Sequence, residues 1–282
     1  MSGKLIIAIQ GERGSYSEQA ATKLLGPGIQ VFSCEHFDEV FRRTASKEVD
    51  FCLIPIENSL SGSIHKNYDL LLRYDLKIAH EINLRVEHNL IVFPGVKFKE
   101  IKTVFSHPVA LDQCEKFFEK YAQLAKQSAY DTSGSVKRIM EQKLTDSAAI
   151  AGEKAAEYYG AETLKRGIQD NQENFTRFFL LAIKPKVEEN QNKTSIVFSF
   201  KNTPGALFKC LSVFALRDID LFKIESRPIP GRAWEYLFYM DFLGNPKKEN
   251  SRNALNHLEE ITEFLKVLGS YPRDATLAKK RI

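Results

Sequence analysis

Short apolar runs alternate with amphipathic segments along residues 5–183, and this alternation limits the folds open to the chain more than any other feature. Residues 5–9, Leu-Ile-Ile-Ala-Ile, read as a buried strand, and residues 16–25 as a helix. Further strands are expected at 51–56, 77–84, 89–93, 104–106, 128–130, 147–151 and 178–183. Helices are expected between them at 37–45, 66–72, 109–121, 133–142 and 154–159. Strands interleaved with helices require α/β layers built on parallel sheet. Residues 184–193, Lys-Pro-Lys-Val-Glu-Glu-Asn-Gln-Asn-Lys, have the polar composition of a linker. Beyond them the order changes to βαββαβ, with strands at 194–200, 220–227, 234–243 and 266–271 and helices at 206–216 and 253–265. That order is the split βαβ, or ferredoxin-like, unit. Two domains are therefore expected, 4–184 and 193–272.

The length of 282 residues accommodates two domains. Hydrophobic residues at 43% can fill a core without disulfides or metal. A net charge of only +4 gives no reason to expect a nucleic-acid or membrane partner. The four cysteines, Cys34, Cys52, Cys114 and Cys210, form no C-x-x-C pair, so buried reduced thiols are expected rather than zinc ligands or a disulfide framework. A strand-like run begins at Leu5 without a signal-like segment before it, and no apolar stretch has membrane-spanning length, which points to the cytoplasm.

Polar clusters fall where strands end, the place where open α/β sheets hold ligands. Gly11-Glu12-Arg13-Gly14-Ser15-Tyr16-Ser17 lies between a strand and a helix. It lacks the G-x-G-x-x-G pattern of dinucleotide sites and on its own reads as a turn with a serine cap. After Pro55-Ile56 come Glu57, Asn58, Ser59 and Ser61, four hydrogen-bonding side chains within five residues. In Ser106-His107-Pro108, the proline suits a helix start, His107 reads as a structural hydrogen-bonder, and Gln113 lies about a turn further on. Asp131-Thr132-Ser133-Gly134-Ser135 offers hydroxyls and backbone N–H groups at another helix start, suited either to a carboxylate or to capping. In Asn174-Phe175-Thr176-Arg177-Phe178 a hydroxyl stands between two phenylalanines, where it needs a partner.

Taken in order, these segments resemble the prephenate dehydratase family, over essentially all of residues 5–183. The Pro-Ile-Glu-Asn-Ser and Thr-Arg-Phe segments are the most specific. Residues 202–207, Asn-Thr-Pro-Gly-Ala-Leu, and 225–228, Glu-Ser-Arg-Pro, resemble the two phenylalanine-binding motifs of the family's ACT domain. Val109 stands where the family usually has glutamine, and Glu12-Arg13 replaces a commoner proline-containing start.

The resemblance implies a catalytic region of two α/β lobes, like type II periplasmic binding proteins, followed by a ferredoxin-like ACT domain. It implies conversion of prephenate to phenylpyruvate with loss of carbon dioxide and water, without metal or organic cofactor. Thr176 matches the catalytic threonine, and Glu57 is a candidate proton relay. Asn58, Ser59, Gln113, Thr132, Ser133, Arg177 and Phe178 are expected to bind or surround substrate. Asn202, Gly205, Ala206, Leu207, Glu225, Ser226 and Arg227 are expected to bind L-phenylalanine as a feedback effector in a homodimer or homotetramer. Arogenate dehydratases share these motifs, so arogenate is the alternative substrate. A non-catalytic small-ligand sensor and a dehydrogenase with an ACT regulator are the rival classes.

Overall fold

The structure is a computed structural model and describes residues 4–185, 190–229 and 231–276. The chain forms two compact units, Met1–Leu70 with Ile82–Phe178, and Leu71–Glu81 with Phe179–Ile282.

The first lobe is begun by β1 (Ile6–Gln10), α1 (Tyr16–Leu25), β2 (Gln30–Cys34), α2 (Phe37–Ala45), β3 (Phe51–Asn58), β4 (Gly62–Ser63), α3 (His65–Arg73) and β5 (Lys77–Arg85). The chain then crosses to a second lobe of β6 (Asn89–Val92), β7 (Thr103–Ser106), α4 (Pro108–Asp112), α5 (Glu115–Lys120), β8 (Ala125–Ser128), α6 (Thr132–Glu141), β9 (Ser147–Ala151), α7 (Glu153–Tyr159) and β10 (Glu162–Lys165). It returns through β11 (Phe175–Ala182), which enters the first sheet in the order β2-β1-β3-β11-β5. The second sheet runs β10-β6-β9-β7-β8. Parallel pairs β1–β2, β1–β3, β7–β8 and β7–β9 confirm the expected α/β layering of a bilobal region.

Several boundaries differ from expectation for local reasons. The helix expected over 109–121 breaks at Gln113 and Cys114, where the Cys114 N–H bonds only three residues back, to Leu111 O, and Cys114 adopts a non-helical φ of −122°. The strand expected at 128–130 lies earlier, at Ala125–Ser128, an exposed edge strand without an apolar face to announce it. Strand β2 is missed for the same reason: it is largely exposed and carries little periodicity. All four cysteines are buried and free, and burial pushes the Cys52 and Cys114 thiols up to about 12. Among the described residues no helix is long and apolar enough to cross a membrane.

The C-terminal unit contains β12 (Lys193–Ser199), α8 (Ala206–Ala215), β13 (Leu221–Pro228), β14 (Tyr236–Leu243), α9 (Glu249–Ile261) and β15 (Phe264–Tyr271). The sheet order β13-β14-β12-β15 is that of a ferredoxin-like fold. Ile196 and Phe198 on one face of β12 pack with Cys210, Val213 and Phe214 of α8 and with Ala254, Leu255 and Leu258 of α9. The other face carries Lys193 and Ser195, since alternate residues point oppositely.

On that second face the same unit includes Leu71–Glu81. Lys193 Nζ lies 2.8 Å from Glu81 Oε2 and 3.9 Å from Asp241, all three nearly fully buried. Ser195 Oγ donates to Asp241 Oδ1, and the Asp274 N–H donates to Glu81 Oε1. A Cβ on Gly269 would stand 2.3 Å from Ile78 O, so only glycine permits this approach. Lys193 is therefore a buried strand residue and not the end of a linker, while residues 186–189 of the expected linker lie outside the described residues. Charged linker-like composition concealed it because its charge is neutralised by residues remote in sequence.

This predicts that Lys193→Met will destabilise the protein by about 3–5 kcal/mol, because one side of a buried ion pair with Glu81 and Asp241 is removed. Denaturant unfolding checks it, and a change within error would show the cluster to be hydrated. A fragment ending before Lys193 should show the same weakness.

Candidate active site

Strand β3 ends at Asn58, and the chain turns at once. The Asn58 Oδ1 accepts the N–H groups of Leu60 and Ser61, each at 3.0 Å, which is how a short amide side chain stabilises a turn. Its oxygen being committed there, the Asn58 Nδ2 must face β11. It lies 2.7 Å from Asn174 Oδ1, 3.1 Å from Phe175 O and 3.0 Å from Thr176 Oγ1. Asn174 Nδ2 donates in turn to Gln113 Oε1 at 2.8 Å. Gln113 Nε2 completes the ring, 3.0 Å from Ser61 Oγ and 3.4 Å from Asn58 Oδ1. Three amides thus donate in one rotational sense, with the Thr176 hydroxyl at the rim.

Each member arrives from a different place. Asn58 ends a first-lobe strand, Asn174 and Thr176 sit where the chain returns to that lobe, and Gln113 caps α4 of the second lobe. The Asp170 N–H donates to Gln113 O at 2.8 Å and fixes that cap to the returning segment. Phe178 shares the Thr176 face of β11 and is buried.

The lobes also meet at the glycine-containing loop. The Glu12 N–H donates to Asp131 Oδ2 at 3.0 Å, and Lys137 pairs with Glu12 at 3.0 Å. A Cβ on Gly14, whose φ is +78°, would lie 2.7 Å from Ala155 Cα. Ser15 caps α1, as the sequence suggested, accepting from Glu18 N at 3.4 Å. His107 caps α4 through Nδ1, with the Val109 N–H at 3.3 Å, and is structural as expected.

Other expected residues are placed differently. Glu57 pairs with Arg177 at 3.1 Å, and both precede or follow their Asn58 and Thr176 neighbours by one residue on a strand. They therefore lie on the opposite face of the sheet from the amide ring, which separates Glu57 from Thr176 as a relay and Arg177 from the ring. The Ser59 hydroxyl donates to Glu173 O at 3.0 Å and accepts from Phe175 N at 2.9 Å, so it clamps the turn onto β11. Ser133 is fully buried and its hydroxyl donates to Arg13 O. The cap of α6 is Asp131, which accepts the Gly134 N–H, and Thr132 is the first helical residue. Burial raises the Asp131 carboxyl, against the lowering effect of the Gly134 and Glu12 N–H groups.

Three residues of the site were not singled out from the sequence. Asn174 is fully buried and belongs to the ring, though its motif had drawn attention to the threonine. His88 Nε2 lies 2.9 Å from Gln113 Oε1, and Tyr16 OH lies 2.9 Å from His88 Nδ1. A lone histidine carries no pattern, and Tyr16, though inside the glycine-containing segment 11–17, reads there only as the start of a helix.

In the C-terminal unit, Gly205 opens α8 with φ +77°, and Ala206 and Leu207 follow in the first turn. Asn202 is exposed just before it. Glu225, Ser226 and Arg227 lie on β13, the outer strand of the sheet.

Two α/β lobes closing over a strand-end cluster of amides and one hydroxyl make a bilobal small-molecule enzyme. A profile of the Prephenate dehydratase family matches residues 7–186. An Arabidopsis thaliana relative, arogenate dehydratase/prephenate dehydratase 2, chloroplastic, is 48% identical over 96% of this chain and 74% of its own length. Arogenate dehydratase 2 of Petunia hybrida is 45% identical over 98% of this chain and 73% of its own. Among solved structures, prephenate dehydratase from Arthrobacter aurescens in complex with L-Phe is 28% identical with a TM-score of 0.87, covering 98% of this chain and 92% of that one. GqqA, described as a novel type of quorum quenching acylase, is 30% identical with a TM-score of 0.87, covering 95% and 98%. The chain belongs to the prephenate dehydratase family and is a dehydratase, a carbon–oxygen lyase.

The close approach of the lobes predicts that Gly14→Ala will destabilise the protein by about 1–3 kcal/mol, since the new methyl meets α7 and the positive φ is strained. Thermal or denaturant melts check this, and an unchanged midpoint would mean that the lobes part easily there.

Proposed function

We propose that this dehydratase converts prephenate to phenylpyruvate, with Thr176 as the group that assists departure of the ring hydroxyl. The observation that carries the reading is the Asn58 amide at 3.0 Å from Thr176 Oγ1. A hydroxyl whose oxygen already accepts a hydrogen bond has its own hydrogen left to donate, and accepting one strengthens the one it gives.

The chemistry asks for little more. The bond from the ring to its carboxylate breaks, and the electron pair enters the ring. The ring carbon–oxygen bond breaks with its pair on oxygen, which takes up a proton and leaves as water. Aromaticity supplies the driving force. Threonine is too weak an acid to surrender its proton outright at neutral pH, so it stabilises the developing hydroxide by hydrogen bonding, and the proton comes from solvent. Asn58 and Gln113, their amide groups engaged within the ring, hold Thr176 in place beside the substrate. Phe178 excludes water near the ring carboxylate, which favours dispersal of its charge. Ser59, Ser133, Glu57 and Arg177 support the loops and strands of the site, and Thr132 offers a hydroxyl at the start of α6 for a substrate carboxylate.

Arogenate is the second reading, carried by the names of the relatives at 45–48% identity. It differs from prephenate only at the side chain, amine in place of ketone, remote from the bond that Thr176 serves. The same threonine would then act in making phenylalanine directly. The cytoplasm remains the expected compartment; the Arabidopsis relative is described as chloroplastic.

Thr176→Ala should lower kcat by about 10²–10³-fold with KM little changed, as for loss of one donor acting on the transition state. Steady-state assays with prephenate and with arogenate, the products identified separately, decide the role and the substrate. A folded mutant with normal turnover on both would end the assignment.

The C-terminal unit we read as an ACT sensor for L-phenylalanine. The Arthrobacter relative binds that amino acid. The α8 N–H groups suit its carboxylate, Gly205 lets the backbone approach it closely, and Leu207 suits its ring. Phe208 is 75% exposed on α8, consistent with burial against a second subunit in a homodimer or homotetramer. Phenylalanine can inhibit only by preferring one conformational state. Calorimetry should show binding and assays a fall in activity. Absence of binding would remove the sensor, and binding without inhibition would remove only the feedback.

A further inference from the structure

His88 is 2% exposed and takes no part in the chemistry above, yet every polar atom of its ring is engaged. It lies on the segment that leaves the first lobe. Its N–H donates to Gln169 Oε1 at 2.9 Å, and its carbonyl accepts the Ile168 N–H at 2.9 Å, so the outgoing and returning crossovers are pinned together at this residue.

The hydrogen-bond directions around it follow from the ring of amides. The N–H groups of Leu60 and Ser61 fix the Asn58 amide; Asn58 fixes Asn174, and Asn174 fixes Gln113 with its oxygen toward His88. His88 Nε2 therefore carries the hydrogen and donates to Gln113 Oε1. The neutral ring then leaves Nδ1 as an acceptor, and the Tyr16 hydroxyl, 2.9 Å away, supplies the donor. The Glu87 carbonyl, 2.8 Å from the same hydroxyl, competes for its one hydrogen. Burial lowers the His88 pKa, opposed by its bond to Gln113, and the neutral form is the one the geometry uses.

We propose that His88, held by Tyr16, is a positioning residue for the dehydratase reaction: its Nε2–H holds the Gln113 amide in place, and Gln113 in turn holds Asn174 and the Asn58 side chain at the spacing that Thr176 needs, the direction of the amides being set by the turn after Asn58. This rests on Thr176 acting as proposed above. Without the His88 donor, Gln113 Oε1 keeps one partner in place of two, and the amide that bridges to Asn58 and Ser61 gains freedom to turn. Substrate contacts at the rim need not change, so the effect belongs in kcat and not in KM.

Glutamine and asparagine separate this role from mere space-filling. A glutamine nitrogen stands as many bonds from Cα as His Nε2, whereas an asparagine nitrogen reaches only as far as Nδ1. His88→Gln should keep kcat within about threefold of the parent, and His88→Asn should lower it by about tenfold, with KM steady in both. Combining His88→Asn with Thr176→Ala should add nothing to the loss from Thr176→Ala alone. Equal losses in the two His88 variants, a loss confined to KM, or additivity with Thr176→Ala would overturn the proposal. Should His88→Asn fail to fold, Tyr16→Phe decides: it keeps the imidazole but removes the hydroxyl that holds the ring at Nδ1, and should lower kcat about threefold. An unchanged kcat there overturns the proposal as well. If Thr176→Ala itself has normal turnover, the underlying assignment fails, and that result is distinct from any in the His88 series.

Discussion

The hydrogen bond from Asn58 Nδ2 to Thr176 Oγ1 is the constraint around which the catalytic unit is organised. Two backbone N–H groups of the following turn hold the other end of the same amide, so the direction of the bond is set by local chain geometry before any distant residue arrives. Each further amide has only one orientation compatible with its neighbour. The result is a site whose donors and acceptors are assigned from the end of one strand outward. With Thr176 in the role proposed for it, such preorganisation means that little need move when charge develops on the leaving oxygen.

The C-terminal unit depends on a different interaction. Ferredoxin-like sheets cover one face with helices and leave the other to be dealt with. Here Leu71–Glu81 belongs with that second face, and the buried Lys193 is neutralised by Glu81 and Asp241. Buried ion pairs contribute little net stability, but removal of one partner is costly, so this cluster specifies pairing more than it adds strength. Separation of the chain at the polar segment near residue 184 therefore cuts through a packed unit, whatever the functional division between catalysis and sensing.

The sequence made the layers and the order of elements legible because buried parallel strands and amphipathic helices carry strong periodicity; α1 and α2 and strand β9 fall where expected to the residue. The exposed strands β2 and β8 lack an apolar face and escaped or shifted. Of the site, Asn58, Gln113 and Thr176 come together, and their motifs announced them. Ser59 and Ser133 looked like ligands because hydroxyls at strand ends are common to binding loops and to the clamps that hold such loops. Glu57 and Arg177 sit one residue from the ring, and in a strand one residue is the difference between faces. His88 and Tyr16 are legible only from three-dimensional proximity. The similarity to GqqA, described as an acylase, is a reminder that this fold does not by itself name a reaction.

The most direct measurement is a crystal structure with a substrate analogue that keeps the ring hydroxyl and both carboxylates but cannot lose carbon dioxide. The analogue's hydroxyl should lie about 2.6–3.2 Å from Thr176 Oγ1, with Asn58 Nδ2 still bonded to that oxygen. A hydroxyl bound on the Glu57–Arg177 face, or a Thr176 hydroxyl turned away from it, would rule out this role for Thr176.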